Sequence, residues 1–391
     1  MTTSTLPPTT TTRRRATFNT LTVSSVRPLT DSSVEVTFDV PEQLREDYNY
    51  LPGQYVALRR DFDGQEVRRS YSICDVSDPA KISVAIKKDL GGLFSTWANE
   101  ELAPGMTMEV MNPQGAFTSK MHMTSMNEPE KLVDERAART ERAHIVSFAA
   151  GSGITPVMSI SQAFLDRTED ATVELVYSNK GQNDVMFAEE IGDLKDKYPT
   201  RLAAHHILTR ESRPNPLYSG RLDQEKLDVL LDRIIDADSV DEWFLCGPFE
   251  YVQLIRDTLA ARGVPAERVR FELFTTGDPG KGPSPARGRQ IEFKADEETV
   301  TLSFHLEGTD STVESPVSAN ETVLNAALRS RPDVPYACAG GVCGTCRAKV
   351  VEGDFEMDEN YALEPDEIEA GYVLTCQTRP KGKNLTVDFD A

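Results

Sequence analysis

Between residues 18 and 110, short apolar and β-branched stretches alternate with polar turns: 18–23, 34–40, 54–59, 66–73, 82–87 and 106–110. One helical stretch, 93–102, interrupts them, and this spacing predicts a small antiparallel β-barrel. From His144 the pattern changes. Apolar strands at 144–150, 173–177, 202–208, 242–245 and 268–274 alternate with amphipathic stretches at 154–167, 185–197, 222–235 and 250–262. Regular alternation of this kind predicts a doubly wound parallel α/β sheet.

Where periodicity fails, the chain divides. Residues 276–289, rich in Gly and Pro, read as a linker, and residues 121–142 as a charged connecting stretch. The Thr- and Pro-rich opening, 1–16, carries Arg13, Arg14 and Arg15 and no acid, and reads as a disordered tail. The expected units are therefore a barrel at 17–120, a parallel sheet at 143–275 and a third domain at 290–391. A length of 391 residues suits two or three domains.

The net charge of −21 excludes the basic footprint that nucleic acid or anionic lipid requires. Neither a membrane span nor a secretory h-region is present, so a cytoplasmic protein is expected. Charge is also uneven. Between Glu352 and Glu369 there are nine acids and no Lys or Arg. That run suits either docking on a basic partner or a solvated face.

Four of the six cysteines fall late, as Cys338-x4-Cys343-x2-Cys346 with Cys376 thirty residues beyond. This is plant-type [2Fe-2S] spacing, in which a tight loop supplies three thiolates and a separate segment the fourth. Gly340, Gly341 and Gly344 let the backbone curl and aim N–H groups at sulfur. A zinc site is the alternative, but zinc modules pair their cysteines as two knuckles and the second pair is missing here.

Two motifs suit a flavin. Arg69-Ser70-Tyr71-Ser72 ends a barrel strand, offering a cation for a pyrophosphate, a ring for an isoalloxazine and a hydroxyl near its reactive nitrogen. Gly92-Leu93-Phe94-Ser95 opens a helix whose first N–H groups could meet phosphate. Cys74, beside the first motif, reads as a small buried hydrophobe.

A third group suits a nicotinamide nucleotide. Strand 144–150 runs into Gly151-Ser152-Gly153-Ile154-Thr155-Pro156, where glycines admit close approach of a pyrophosphate. Cys246-Gly247-Pro248 ends another parallel strand, at the edge where such sheets bind ligands. After the second strand stands Ser178-Asn179-Lys180, with no acid for a ribose 2′-hydroxyl; with Arg210 ending the third strand, two cations favour NADPH. The alternative is that both are merely solvated. His205 and His206 read as structural.

In this order the three groups resemble the ferredoxin–NADP reductase-like family of oxygenase reductases. Residues 193–199, 334–346, 360–377 and 387–391 add to the likeness. The resemblance implies FAD, NADPH and a [2Fe-2S] cluster, a C-terminal α+β ferredoxin-like β-grasp domain, and an oxygenase component as partner. It places Arg69, Tyr71 and Ser72 on the flavin and Gly92 to Ser95 on its pyrophosphate. Thr155 and Cys246 would stand near the nicotinamide, with Phe274 ending the strand that approaches the flavin. Tyr71, Ser72 and Cys246 are the expected catalytic residues. A carrier or binding protein without catalysis is the competing class, but it leaves the first two domains unexplained.

Overall fold

The computed structural model describes residues 16–89, 91–121, 142–273, 291, 297–331, 333–336, 338–363 and 365–391. The expected linker and Phe274 lie outside the described residues, as do nearly all of the expected tail and charged stretch.

The barrel comprises β1 (Phe18–Thr30), β2 (Ser33–Asp39), β3 (Tyr55–Phe62), β4 (Gln65–Ser72), β5 (Lys81–Lys87) and β6 (Thr107–Met111), with α1 (Leu93–Glu100) after β5. Strand order is β4-β3-β6-β1-β2-β5. A bridge between Ile73 and Val84 links the end of β4 to β5 and closes the barrel. Alternate residues face inward: Val34, Val36 and Phe38 on β2, Val56 and Leu58 on β3, and Ile82, Val84 and Ile86 on β5 share one core.

The parallel sheet comprises β7 (His144–Ala150), β8 (Thr172–Asn179), β9 (Leu202–Leu208), β10 (Glu242–Gly247) and β11 (Val269–Leu273), in the order β11-β10-β7-β8-β9. Four helices connect the strands: α2 (Ile154–Arg167), α3 (Ala188–Lys197), α4 (Gln224–Arg233) and α5 (Phe249–Ala261). Central β7 is buried on both faces. Ile145 and Ala149 join one core cluster, Val146 and Phe148 the other, which is why its sequence is a continuous apolar run.

In the third unit, β12 (Thr299–Leu306) and β13 (Thr309–Pro316) form a hairpin, followed by α6 (Val323–Ser330). Then come β14 (Arg347–Glu352), β15 (Phe355–Met357), α7 (Pro365–Glu369), β16 (Tyr372–Leu374), β17 (Thr378–Pro380) and β18 (Asn384–Asp388). The main sheet, β13-β12-β18-β14-β16, pairs β12 with β18 in parallel across the core. This is the expected β-grasp, with the cluster loop between α6 and β14.

Barrel and parallel sheet are joined by buried polar contacts. The Gly53 N–H donates to Ser159 Oγ on α2 at 3.0 Å. The carboxylate of Glu242, at the start of β10, accepts from the Lys120 N–H at 2.8 Å and faces Arg270 at 3.7 Å. Burial raises the Glu242 pKa, and Ser119, Lys120 and Arg270 oppose that rise. These contacts fix the barrel against the parallel sheet, and Ser72 at the end of β4 meets Glu272 near the carboxyl end of β11.

Candidate active site and cluster site

β4 delivers the Arg-Ser-Tyr-Ser motif to the closing seam of the barrel. Tyr71 packs against Phe94 of α1 with ring centroids 5.9 Å apart. Arg69 is exposed and donates to the Arg68 carbonyl at 2.7 Å. Ser70 Oγ is buried with no hydrogen-bond partner among the described residues. An orphaned hydroxyl in the middle of this motif is what a missing polar ligand leaves behind, so the residues fit a flavin.

The second motif divides its duties. Gly92 precedes α1, Leu93 is 47% exposed, and Phe94 is buried in the barrel core. Ser95 Oγ accepts from the Asp89 N–H at 3.0 Å and lies 3.4 Å from the Gly92 carbonyl. Its hydroxyl therefore holds the turn. What the motif offers a phosphate is the set of first-turn N–H groups, which have no acceptor within the helix.

On the parallel sheet, two glycine turns interlock. A Cβ on Gly153 would stand 2.2 Å from the Cys246 carbonyl oxygen, so only glycine lets the Gly151-Ser152-Gly153 turn rest on Cys246-Gly247-Pro248. Thr155 Oγ1 donates to the Ser152 carbonyl at 3.0 Å, and Pro156 is buried in the first turn of α2. The Tyr177 hydroxyl donates to the Gly151 carbonyl at 3.0 Å, and Ser178 Oγ to Tyr251 Oη at 3.5 Å. Lys180 and Arg210 are exposed neighbours, the Arg210 N–H donating to the Lys180 carbonyl at 2.8 Å.

Two residues missed by sequence reasoning complete this region. Lys87, the last residue of β5, brings Nζ within 3.8 Å of where a Gly151 Cβ would lie. Burial lowers its pKa, and Asp184, Lys180 and Asp89 act on it in turn. A half-buried ammonium over a glycine turn suits a nucleotide pyrophosphate; its signal was a strand-end cation shortly before Gly91-Gly92. The second is Glu272 on β11. Ser72 Oγ donates to Glu272 Oε2 at 3.3 Å, and Glu272 pairs in register with Cys246. Burial pushes the carboxyl up to about 8, with the Ser72 hydrogen bond opposing and the Cys343 thiol adding. Burial, reinforced by Glu272, also pushes the Cys246 thiol up. Both groups thus stay protonated near neutrality. The signal for Glu272 was an acid two residues before Phe274, between the apolar Phe271 and Leu273.

The late cysteines pair two and two. The strongest influence on the Cys338 thiol is Cys343, and on the Cys376 thiol it is Cys346. Cys338 pulls the Cys343 thiol below its ordinary range. Among the described residues, no group of three or more His, Cys, Asp or Glu is arranged for a single metal ion. Two pairs fit two irons better than one zinc. The loop curls through positive φ at Ala339, Gly341 and Gly344, which is strained for the alanine and easy for the glycines. The Gly340 N–H lies 3.4 Å from Cys338 Sγ, Thr345 Oγ1 3.1 Å from Cys343 Sγ, and Gln377 Nε2 3.6 Å from Cys376 Sγ. These donors would stabilise anionic sulfur.

Comparison with known proteins agrees domain by domain. Residues 20–119 match the oxidoreductase FAD-binding domain, 148–257 the oxidoreductase NAD-binding domain, and 304–381 the 2Fe-2S iron-sulfur cluster binding domain. Over 375 residues the chain is 40% identical to a subunit of the 1,2-phenylacetyl-CoA epoxidase of Escherichia coli K12, covering 96% of this chain and 98% of that one. The chain belongs to the reductase family of multicomponent oxygenases. Another member, the ferredoxin reductase component of 3-ketosteroid-9-alpha-monooxygenase from Rhodococcus rhodochrous, is 34% identical over 94% of this chain and 96% of its own.

Solved structures show the same fold. Phthalate dioxygenase reductase superposes with a TM-score of 0.53 at 20% identity, over 95% of this chain and 98% of that one. A type IV self-sufficient cytochrome P450 monooxygenase gives 0.62 at 21% identity; there this reductase matches 95% of its own length but spans only 41% of the larger chain. The reductase is thus an NAD(P)H-dependent FAD and iron–sulfur oxidoreductase, and the expected family, fold class and enzyme class all hold.

Glu272 gives the site a pH signature. Its ordinary pKa is 4.5, and in the fold it is about 8. Between these values the folded protein keeps a proton that the unfolded chain releases, so this group's contribution to stability falls as pH rises through the window. Urea midpoints of Glu272→Gln should therefore decline less than those of the wild type between about pH 5 and pH 8.5. Equal declines would contradict the assignment.

Proposed function

We propose that this reductase draws electrons from NADPH and delivers them to the oxygenase component of a phenylacetyl-CoA epoxidase, in the cytoplasm. The observation that carries the partner is 40% identity across nearly the full length of both chains. A 3-ketosteroid monooxygenase is the second reading, favoured by the 34% match. Among the described residues no helix is long and apolar enough to cross a membrane. The units assigned are 17–120 for FAD, 143–275 for the nucleotide and 290–391 for the cluster.

Residue roles follow from position. Arg69 and the first-turn N–H groups of α1, from Leu93 to Ser95, bind the flavin pyrophosphate. Tyr71 and Ser72 face the ring, with the orphaned Ser70 hydroxyl as a further donor. Gly151, Gly153, Thr155 and Pro156 form the nucleotide turn, Lys87 neutralises its pyrophosphate, and Gly247 and Pro248 shape the opposing turn. Cys338, Cys343, Cys346 and Cys376 hold the cluster.

When bound, FAD supplies the conversion of a two-electron hydride into the single electrons that a [2Fe-2S] cluster accepts. The protein's share is orientation and exclusion of water. Ser72 and Cys246 set the approach of the nicotinamide, and Glu272, protonated near neutrality, holds a proton at the seam without adding a buried charge. No general acid or base is required for the hydride itself.

The preference for NADPH is supported by the adjacency of Lys180 and Arg210 and by the absence of an acid at the end of β8. Converting both to alanine should lower kcat/KM for NADPH by roughly tenfold or more and leave NADH little changed. Equal losses for the two nucleotides, or a native preference for NADH, would reverse the assignment.

The acidic surface of the third unit supports electrostatic docking. Glu352, Asp354, Glu359, Asp366 and Glu369 are exposed there beside Val351, Phe355 and Ile368. Stopped-flow reduction of the purified epoxidase oxygenase component should be fast and should slow as salt rises. Efficient reduction of a ketosteroid oxygenase in its place would favour the second reading.

A further inference from the structure

The outer face of β3 is apolar where an isolated barrel would meet water. Inward-pointing Val56 and Leu58 belong to the barrel core, whereas Tyr55 and Ala57 form a separate buried cluster with Met111, against which Phe18 and Cys343 pack. The cluster loop covers this patch. A second contact lies nearby: the Arg68 guanidinium, 4% exposed, sits 4.3 Å over the Tyr336 ring and donates to the Tyr336 carbonyl at 3.4 Å. Tyr55 pairs in register with Ser72, so the strand that carries the flavin motif lies beside the strand that touches the loop.

At the centre of the contact, three hydrogen bonds compete for two protons. The Tyr55 hydroxyl lies 2.5 Å from the Cys343 carbonyl oxygen and 2.6 Å from Thr345 Oγ1. Thr345 Oγ1 is also 3.1 Å from Cys343 Sγ. A carbonyl can only accept, so the Tyr55 proton goes to Cys343 O. A thiolate ligand likewise only accepts. The one Thr345 proton must therefore serve either the Tyr55 oxygen, at the shorter distance, or the ligand sulfur.

We infer that Tyr55 is a positioning residue that docks the cluster loop on the flavin barrel and, in doing so, draws the Thr345 proton away from the Cys343 sulfur. The inference rests on the cluster being held by the four late cysteines, as proposed above. Its consequence is a coupling. With the loop docked, the sulfur has a weaker donor and the cluster gives up its electron more readily. With the loop released, Thr345 returns to the sulfur and the reduced cluster, with its extra negative charge, is stabilised. The electron that arrives from the reduced flavin is then held more firmly once the loop has left the barrel.

Tyr55→Phe keeps the ring and removes only the hydroxyl. In the holoprotein, poised with dithionite and followed by EPR, this variant should show a cluster potential more positive than the wild type. Hydrogen–deuterium exchange of residues 343–346 should rise by roughly fivefold, the weight of one net hydrogen bond in the docking equilibrium. Thr345→Ala should make the potential more negative, and adding Tyr55→Phe to it should produce no further shift. A potential that stays put or falls in Tyr55→Phe, a shift that persists without Thr345, or unchanged exchange would overturn the inference. Because dithionite supplies the electrons, failure of NADPH to reduce the flavin would count against the nucleotide assignment alone. A wild-type protein without a cluster signal would remove the underlying reading.

Discussion

A single hydrogen bond, from Ser72 of the barrel to Glu272 of the parallel sheet, marks the seam on which the reductase is organised. Ser72 is the last residue of β4, where the barrel closes; Glu272 lies near the end of β11, beside Cys246. A hydride donor on the sheet can meet an acceptor on the barrel only if these two strand ends stay together. The contacts of Gly53 with Ser159 and of Glu242 with Lys120 keep them so from the opposite side. Glu272 is tolerated at the seam because its carboxyl is protonated near neutrality, where a buried carboxylate without a cation would be costly.

The third unit joins the same seam from the other side of β3. The Cys343 thiol acts electrostatically on both Glu272 and Tyr55, so this proposed cluster ligand bears on the end of β11 and on the barrel wall at once. Electron transfer needs short separations but no bond making. A fold that brings three cofactor sites to one set of strand ends meets that requirement with few specialised residues. Of the loop's own donors, Gly340 and Gln377 serve sulfur alone, whereas Thr345 is shared between the Cys343 sulfur and Tyr55 of the barrel.

Much of this was legible in the sequence because its signals are local. Four cysteines at fixed spacing, a glycine turn between strand and helix, and a run of alternating elements each lie within a short window. Lys87 and Glu272 were not legible, since their roles arise from contacts across domains: Lys87 leaves the barrel to reach Gly151, and Glu272 leaves the sheet to reach Ser72. Tyr55 resembles any strand tyrosine until the cluster loop is laid on it. The Ser95 hydroxyl holds the backbone of the preceding turn, and the first-turn N–H groups of α1, where the sequence suggested a phosphate, have no acceptor within the helix. Ser178, expected at the ribose, likewise turns its hydroxyl to Tyr251.

The central claim is that one chain carries electrons from a nicotinamide through a flavin to a cluster held by Cys338, Cys343, Cys346 and Cys376. Its most direct test is an anaerobic NADPH titration of the purified protein, followed together by visible absorption and low-temperature EPR. The account predicts bleaching of the flavin bands and growth of a rhombic [2Fe-2S] signal, with the EPR signal lost when Cys343 is replaced by serine. Flavin bands that bleach while no cluster signal develops, or that NADPH leaves untouched, would contradict it.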